Sequence, residues 1–274
     1  MPSPVKPKKQ LGQHFLTDEN IAKKIVNLLP LQQGEKPMRT LEIGAGTGVL
    51  TKYLLERTDL EMFVVDIDAE SIAFLAQHFE AYWKNNDRPA HLISGDFLAL
   101  DLGQRFENQP LFIIGNFPYN ISSQIFFKVL AHQEQVQQVV CMIQKEVAQR
   151  LAAKEGNKTY GILSVLLQTF YKIEYSFSVG AKVFNPPPKV ESAVIRLVRN
   201  GRKELGCAQK LFFQVVKAGF NQRRKTLRNA LKSLLPPLFS DPQQYLDKRA
   251  EQLSVEDFIA LTQSIEKARQ SEKM

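Results

Sequence analysis

The stretch Glu42-Ile43-Gly44-Ala45-Gly46-Thr47-Gly48 decides the fold. It follows an apolar, β-rich run over residues 39–43 and precedes a helical pattern. Glycines let a backbone turn sharply and admit a ligand closely. Here the three alternate, whereas the dinucleotide fingerprint separates its last two by two residues to cradle a pyrophosphate. The spacing therefore points to a nucleotide-like cofactor without a pyrophosphate. A plain Gly-rich turn between strand and helix is the bland alternative, and the flanking chain has to decide.

Outward from this turn, β-rich apolar runs alternate with helical patterns to about residue 199, which argues for βαβ units and a parallel sheet. Strands are expected at residues 39–43, 62–65, 91–93, 111–114 and 136–143, with helices following Gly48, Ala69, Ser122 and Lys145. Two more runs, 170–178 and 190–198, flank a loop holding Pro186, Pro187 and Pro188, a pattern for an antiparallel pair closing one sheet edge. Asp66 ends the second strand, 20 residues after Gly46, where an acid can accept both ribose hydroxyls. Asp96 ends the third, and can accept from an adenine amine while Phe97 packs on the ring. Asp68 reads as the N-cap of the next helix. The glycine pattern together with these acids resembles the class I S-adenosylmethionine-dependent methyltransferases. That resemblance implies a Rossmann-like α/β sheet that holds S-adenosylmethionine at Gly44, Gly46, Asp66, Asp96 and Phe97.

The fourth strand runs into Gly115-Asn116-Phe117-Pro118-Tyr119. An adenine amine is weakly basic because its lone pair is delocalised into the ring. Two acceptors aimed at its hydrogens can pull the nitrogen toward tetrahedral geometry. The Asn116 side-chain oxygen and the Phe117 carbonyl suit this task. Pro118 has no N–H and restricts Phe117 toward extended geometry. Tyr119 offers a flat surface for a base swung out of its stack. The catalytic set is thus Asn116, Phe117, Pro118 and Tyr119, with Asn116 also facing the cofactor. This chemistry asks for orientation, with no metal and no covalent nucleophile.

After Gly201 the strand signal stops. Leu211, Phe212, Val215 and Val216 share one helical face, as do Leu227, Ala230, Leu231 and Leu234 before Pro236-Pro237. Ser254 and Asp257 resemble a capping box that opens a last helix. A catalytic domain over residues 1–203 and a small all-helical domain over 204–274 are expected. Between Arg202 and Lys232 lie nine Lys or Arg and one acid, Glu204, which together carry the chain's whole excess of +8. Clustered basic charge suits a phosphate backbone. Arg223, Arg224, Lys225 and Arg228 are the leading RNA contacts, although a solvated basic face is the alternative. Lys6, Lys8 and Lys9 read as a flexible arm.

Asn-x-Pro-Tyr is similar to the amino-methyltransferase loop, and Asn at its first position resembles the rRNA adenine N6-dimethyltransferases. Three further segments match that family: Gln13-His14-Phe15-Leu16, Phe184-Asn185-Pro186-Pro187-Pro188-Lys189-Val190-Glu191-Ser192-Ala193-Val194, and Phe220-Asn221-Gln222-Arg223-Arg224-Lys225-Thr226-Leu227-Arg228-Asn229. The resemblance is nearest to the KsgA/RsmA group. It implies dimethylation of two adjacent adenosines in the 3′-terminal hairpin of small-subunit (16S) rRNA, with a role in small-subunit biogenesis. It also implies that His14 and Leu16 contact the methionine part of the cofactor through backbone atoms, and that Phe184 stacks on the target adenine opposite Tyr119. Asp66 departs from the group's usual Glu, and Phe117 from its usual Leu.

The nearest rival is a large-subunit (23S) rRNA adenine methylase conferring antibiotic resistance. A DNA adenine methylase would carry Asp-Pro-Pro-Tyr in the loop. A non-catalytic ribosome assembly factor could keep the fold and the basic face, but the intact set of Glu42–Gly48, Asp66, Asp96 and Asn116 argues against it. No run approaches the roughly 18 apolar residues of a membrane span. Residues 1–10 are Pro- and Lys-rich without the apolar centre of a secretory signal. Cys141 and Cys207 have neither disulfide-framework nor zinc spacing, which fits a reduced, cytoplasmic protein. The immature small ribosomal subunit is the expected partner, with no membrane, and the protein is expected to be a monomer.

Overall fold

The computed structural model describes residues 5–32, 34, 36–85, 91–237, 239–241 and 243–271. The reading of residues 1–10 falls outside them at 1–4. Within them, no helix is long and apolar enough to cross a membrane. In chain order the elements are β1 Phe15–Leu16, α1 Glu19–Val26, β2 Met38–Ile43, α2 Val49–Leu55, β3 Leu60–Asp66, α3 Ala69–His78, α4 Glu80–Asn85, β4 Leu92–Ser94, α5 Leu102–Arg105 and β5 Leu111–Asn116. There follow α6 Ser122–Ala131, β6 Val136–Gln144, α7 Lys145–Ala152, α8 Ile162–Phe170, β7 Tyr171–Val179, β8 Phe184–Asn185, β9 Ser192–Arg199, α9 Gln209–Asn221, α10 Leu227–Ala230 and α11 Val255–Ser271. The chain forms two compact units. One comprises Met1–Ala148 and Glu174–Arg199, the other Gln149–Ile173 and Asn200–Met274.

The first unit is built on a seven-stranded sheet of order β4-β3-β2-β5-β6-β9-β7. β2 to β6 pair in parallel and β9 runs antiparallel to β6. Helices cover parallel strands on both faces, so such strands read as continuous apolar runs. Accordingly Leu41, Ile43, Met62, Val64, Ile113, Ile114 and Val139 to Ile143 are all buried. The expected closing pair is present as β9 and β7 at one edge. Strand order reverses between β2 and β5, and open α/β sheets bind ligands outside the carboxyl ends of the strands at such a point. A separate two-stranded ladder joins β1 to β8, with Phe15 opposite Asn185 and Leu16 opposite Phe184.

The second unit is helical. It takes in α8, from a segment that the sequence reading assigns to the first domain, beside α9, α10 and α11. Phe220 of α9 stacks on Phe258 of α11, with ring centroids 5.8 Å apart. Ser254 and Asp257 cap α11 reciprocally: the Ser254 N–H donates to Asp257 Oδ2 at 2.9 Å, and the Asp257 N–H to Ser254 Oγ at 3.1 Å. The expected helix through Leu234 stops at Ala230. Residues 231–235 continue as turns that bury Leu231 and leave Leu234 half-buried. Successive tight turns mimic helical spacing there, and Pro236 biases the preceding residue away from helix.

Candidate active site

Gly44 and Gly46 hold φ of +70° and +56°, in the left-handed region that side chains with a Cβ rarely enter. A Cβ on Gly46 would also stand 2.6 Å from the Phe15 ring. The glycine turn is tied to the second strand. Asp66 Oδ2 accepts from the Gly46 N–H at 3.0 Å, and Oδ1 from the Asp68 N–H at 2.9 Å. Burial raises the Asp66 carboxyl above its usual range, and the two N–H donors oppose that rise. Beneath the turn, Glu42 is buried and accepts the Thr51 hydroxyl at 2.7 Å. Burial pushes its carboxyl up to about 8.

The glycine turn and Asp66 line a cleft, open to solvent, at the carboxyl ends of β2, β3, β4 and β5. Gly44, Gly46, Asp66, Asp96, Phe97, Asn116 and His14 all reach it. So do Phe15 and Ile67, which the sequence reading did not single out. Ile67 is 57% exposed, although it is a large apolar residue between two acids. An exposed aliphatic side chain beside a nearly buried carboxylate gives one wall to an apolar ring and one acceptor to a polyol. The lining therefore fits S-adenosylmethionine: Asp66 would accept from the ribose, Ile67 and Phe97 would flank the purine plane, and Asp96 would accept from its amine. Asp96 is exposed and its Oδ1 accepts from the Leu98 N–H at 2.8 Å, which sets the carboxylate's direction. Among the described residues, no cluster of His, Cys, Asp or Glu could hold a metal ion.

The catalytic loop closes the same cleft. Asn116 Nδ2 donates to the His14 carbonyl at 2.8 Å. That bond uses one of the two N–H donors of the amide and fixes the side chain's orientation. The Phe117 N–H donates to Met142 O at 3.0 Å and its side chain is buried, so the backbone of this residue is fixed from both sides. The Tyr119 hydroxyl hydrogen-bonds Ser192 Oγ at 2.6 Å. The His14 ring stacks on Tyr119 with centroids 5.6 Å apart, and His14 Nδ1–H donates to Pro186 O at 2.7 Å. A second cleft, walled by Pro186 to Pro188 and Gln144, shares Gly12, Gln13, His14 and Tyr119 with the first.

Two expectations need correcting, and a third is narrowed to the main chain. The Leu16 side chain is 4% exposed and packs in the core with Ala22, Ile25 and Val26, which leaves only its backbone for the contact that the resemblance implies, while the Phe15 side chain, on the opposite face of β1, lines the cleft. Phe184 is 3% exposed, shares that core and lines neither cleft. Pairing with Leu16 turns it inward, and the ring on Tyr119 is His14. Lys8 is not part of a free arm. Its ammonium pairs with Asp68 at 2.7 Å and Glu70 at 3.0 Å, and Gln13 Nε2 adds a bond to Asp68 Oδ2 at 3.3 Å. Burial would raise the Asp68 carboxyl, but Lys8 and Gln13 hold it below its usual range.

The basic candidates of the helical unit divide into two pairs. Arg223 donates to Lys158 O at 3.2 Å and to Tyr160 O, and lies over the Phe220 ring. Arg228 pairs with Asp247 at 2.7 Å. Arg224 and Lys225 are exposed and hold no ion pair among the described residues.

The sheet order, the glycine turn and the acids after β3 and β4 define a class I methyltransferase that uses S-adenosylmethionine. The model of the family described as ribosomal RNA adenine dimethylase matches residues 5–267, and the chain belongs to that family. It is 57% identical over 258 residues to the ribosomal RNA small subunit methyltransferase A of Cytophaga hutchinsonii, spanning 94% of this chain and 96% of that protein. Among solved structures it resembles a dimethyladenosine transferase from Plasmodium falciparum, with TM-score 0.74 and 24% identity over 95% of this chain and 99% of that one. It also resembles the 23S rRNA methyltransferase ErmE, with TM-score 0.68 and 20% identity over 92% and 99%. At these identities the two structures speak for the fold alone.

Proposed function

We propose that the protein transfers methyl groups to N6 of two adjacent adenosines in the 3′-terminal hairpin of small-subunit rRNA, giving N6-dimethyladenosine during small-subunit biogenesis. The observation that carries this reading is the Asn116–His14 bond, which fixes the amide of Asn116 in the wall of the cofactor cleft. When bound, S-adenosylmethionine supplies an electrophilic methyl on its sulfonium. The Asn116 oxygen and the Phe117 carbonyl accept the two hydrogens of the target amine and hold its lone pair in line with that methyl. Tyr119, fixed by Ser192, offers the stacking surface; ring movement by His14 would expose the face that it covers. The second cleft, with its proline wall, is the approach for the extruded nucleoside. The clamp from Lys8 and Gln13 onto Asp68 keeps the segment before β1 closed over the cofactor.

Arg224 and Lys225 are proposed as direct phosphate contacts. Arg223 instead holds the loop at 158–160, and Arg228 would have to exchange Asp247 for RNA. The relatives' identities favour the small subunit over the large one, and the ErmE likeness is one of fold. The protein is proposed to act as a cytoplasmic monomer. The test is transfer of labelled methyl groups to purified small subunits, large subunits and naked rRNA, with the modified positions mapped by mass spectrometry. Labelling of two adjacent adenosines in small subunits alone is expected. Labelling confined to large subunits would overturn the proposal.

A further inference from the structure

We propose that Lys128 is a positioning residue for the adenine of the cofactor: its ammonium fixes the turn over residues 96–100, so that the Asp96 carboxylate meets the purine amine. Lys128 lies on α6 and its partners lie 28 to 31 positions earlier. Its Nζ donates to Phe97 O at 2.7 Å, to Leu98 O at 2.9 Å and to Leu100 O. A lysine ammonium has three donors and no acceptor, and all three are used on one turn. The same nitrogen stands 5.1 Å from the centroid of the Phe97 ring.

The turn has bonds of its own: Ala99 N–H to Asp96 O at 3.0 Å, Leu100 N–H to Phe97 O at 3.2 Å, and Leu98 N–H to Asp96 Oδ1 at 2.8 Å. These make Asp96 the hinge of the turn and Leu100 its far end. Three carbonyl dipoles converging on one point repel each other unless a cation sits there. Removing the cation therefore lets the turn open at Phe97 and Leu98, the residues that set the direction of the carboxylate. Burial lowers the affinity of Lys128 for its proton, and the charges of Asp96 and Asp101 oppose that. The ammonium thus feels the field of the acid that the reading assigns to the purine amine.

The inference rests on the reading that Asp96 accepts from that amine. The experiment separates the two by titrating the full-length protein with S-adenosylhomocysteine and with S-inosylhomocysteine, in which oxygen replaces the 6-amine. The unaltered protein is expected to prefer the amine by tenfold or more, the worth of a hydrogen bond to a charged acceptor. Lys128→Met should bring this preference within about threefold of unity. It should do so by weakening the amine-bearing ligand about threefold or more beyond the inosyl ligand, which loses only what a shift of Phe97 against the purine costs. In turnover assays KM for S-adenosylmethionine should rise with kcat unchanged, because the methyl acceptor's contacts are untouched. General loosening of the fold would weaken both ligands together. If Lys128→Met does not fold, Lys128→Gln carries the same expectation. Loss of the preference in Asp96→Ala, with its full retention in the folded Lys128 variant, would overturn the role of Lys128. Retention of the preference in Asp96→Ala would overturn the reading of Asp96 itself.

Discussion

Gly46→Ala places a methyl group where the structure leaves no room, and its cost can be worked out beforehand. The backbone there has φ +56°, which costs an L-residue about 1–2 kcal/mol. The new Cβ would lie 2.6 Å from Phe15 Cε1 and 2.7 Å from Cδ1, so the ring must retreat by about an ångström. Overpacking of that kind costs about 1–3 kcal/mol. The joint loss of about 2–5 kcal/mol corresponds to a fall in Tm of roughly 4–20 °C. Because Phe15 lines the cleft, its retreat should also weaken cofactor binding by about tenfold or more. Two glycines of the same cleft serve as references. Gly44→Ala meets the same backbone cost at φ +70°, but its nearest neighbour, Asn116 O, stands at an ordinary 3.7 Å, so only about 1–2 kcal/mol is expected. Gly95→Ala meets nothing within 4 Å and lies outside the left-handed region, so it should be close to neutral. Differential scanning calorimetry and titration with S-adenosylhomocysteine read all three. A Gly46→Ala protein indistinguishable from Gly95→Ala would refute the packing of Phe15 over the turn.

Asn116→Ala should lower kcat by about 10²-fold or more, the range for loss of a preorganised group at the reacting centre, while cofactor affinity changes far less; stopped-assay kinetics with titration of the cofactor checks both. Phe184→Ala should act on stability, losing about 3–5 kcal/mol in urea unfolding as other buried Phe truncations do, and intact stability with lost methylation would restore it to the base-binding site. Glu42 binds its proton more tightly folded than unfolded, so the native state holds more protons between the usual carboxylate range and about 8. Stability should therefore fall as pH rises through that window, and Glu42→Gln should flatten the fall by up to a few kcal/mol; parallel pH profiles of unfolding for the two proteins would contradict this. Arg224→Gln with Lys225→Gln should reduce the slope of log K against log salt for RNA binding by about 1.4–1.8, and an unchanged slope would move the RNA face elsewhere.

The sheet was legible because its physics is local. Parallel strands buried on both faces leave unbroken apolar runs, and the chain marks their carboxyl ends with glycine or an acid, as at Gly44, Asp66 and Asp96. Asn116 was legible for the same reason, although the bond that orients its amide comes from His14, 102 positions away. α8 was not legible. Ser164, Val165, Leu166, Leu167, Thr169 and Phe170 are buried, and the helix runs without a break into β7, so its apolar residues merge with those of the following strand. Phe184 was misplaced because β1 and β8 hold two residues each, too few for alternation to reveal which face turns inward. Ile67 has no polar group to mark it in the sequence, and only its exposure beside Asp66 shows it as a cleft wall. Lys128 carries one charge on an amphipathic helix, and nothing local announces the three distant carbonyls that it gathers.

The claim on which the account turns is that the Asn116 amide oxygen and the Phe117 carbonyl grip the target amine. A crystal structure with a non-transferable amine analogue of S-adenosylmethionine and an RNA hairpin bearing the paired adenosines tests it directly. The adenine N6 should lie within hydrogen-bonding distance of both oxygens, with the Asn116 nitrogen still on His14 O and the base against Tyr119. An extruded adenine held by other groups, with the Asn116 oxygen facing solvent, would contradict it.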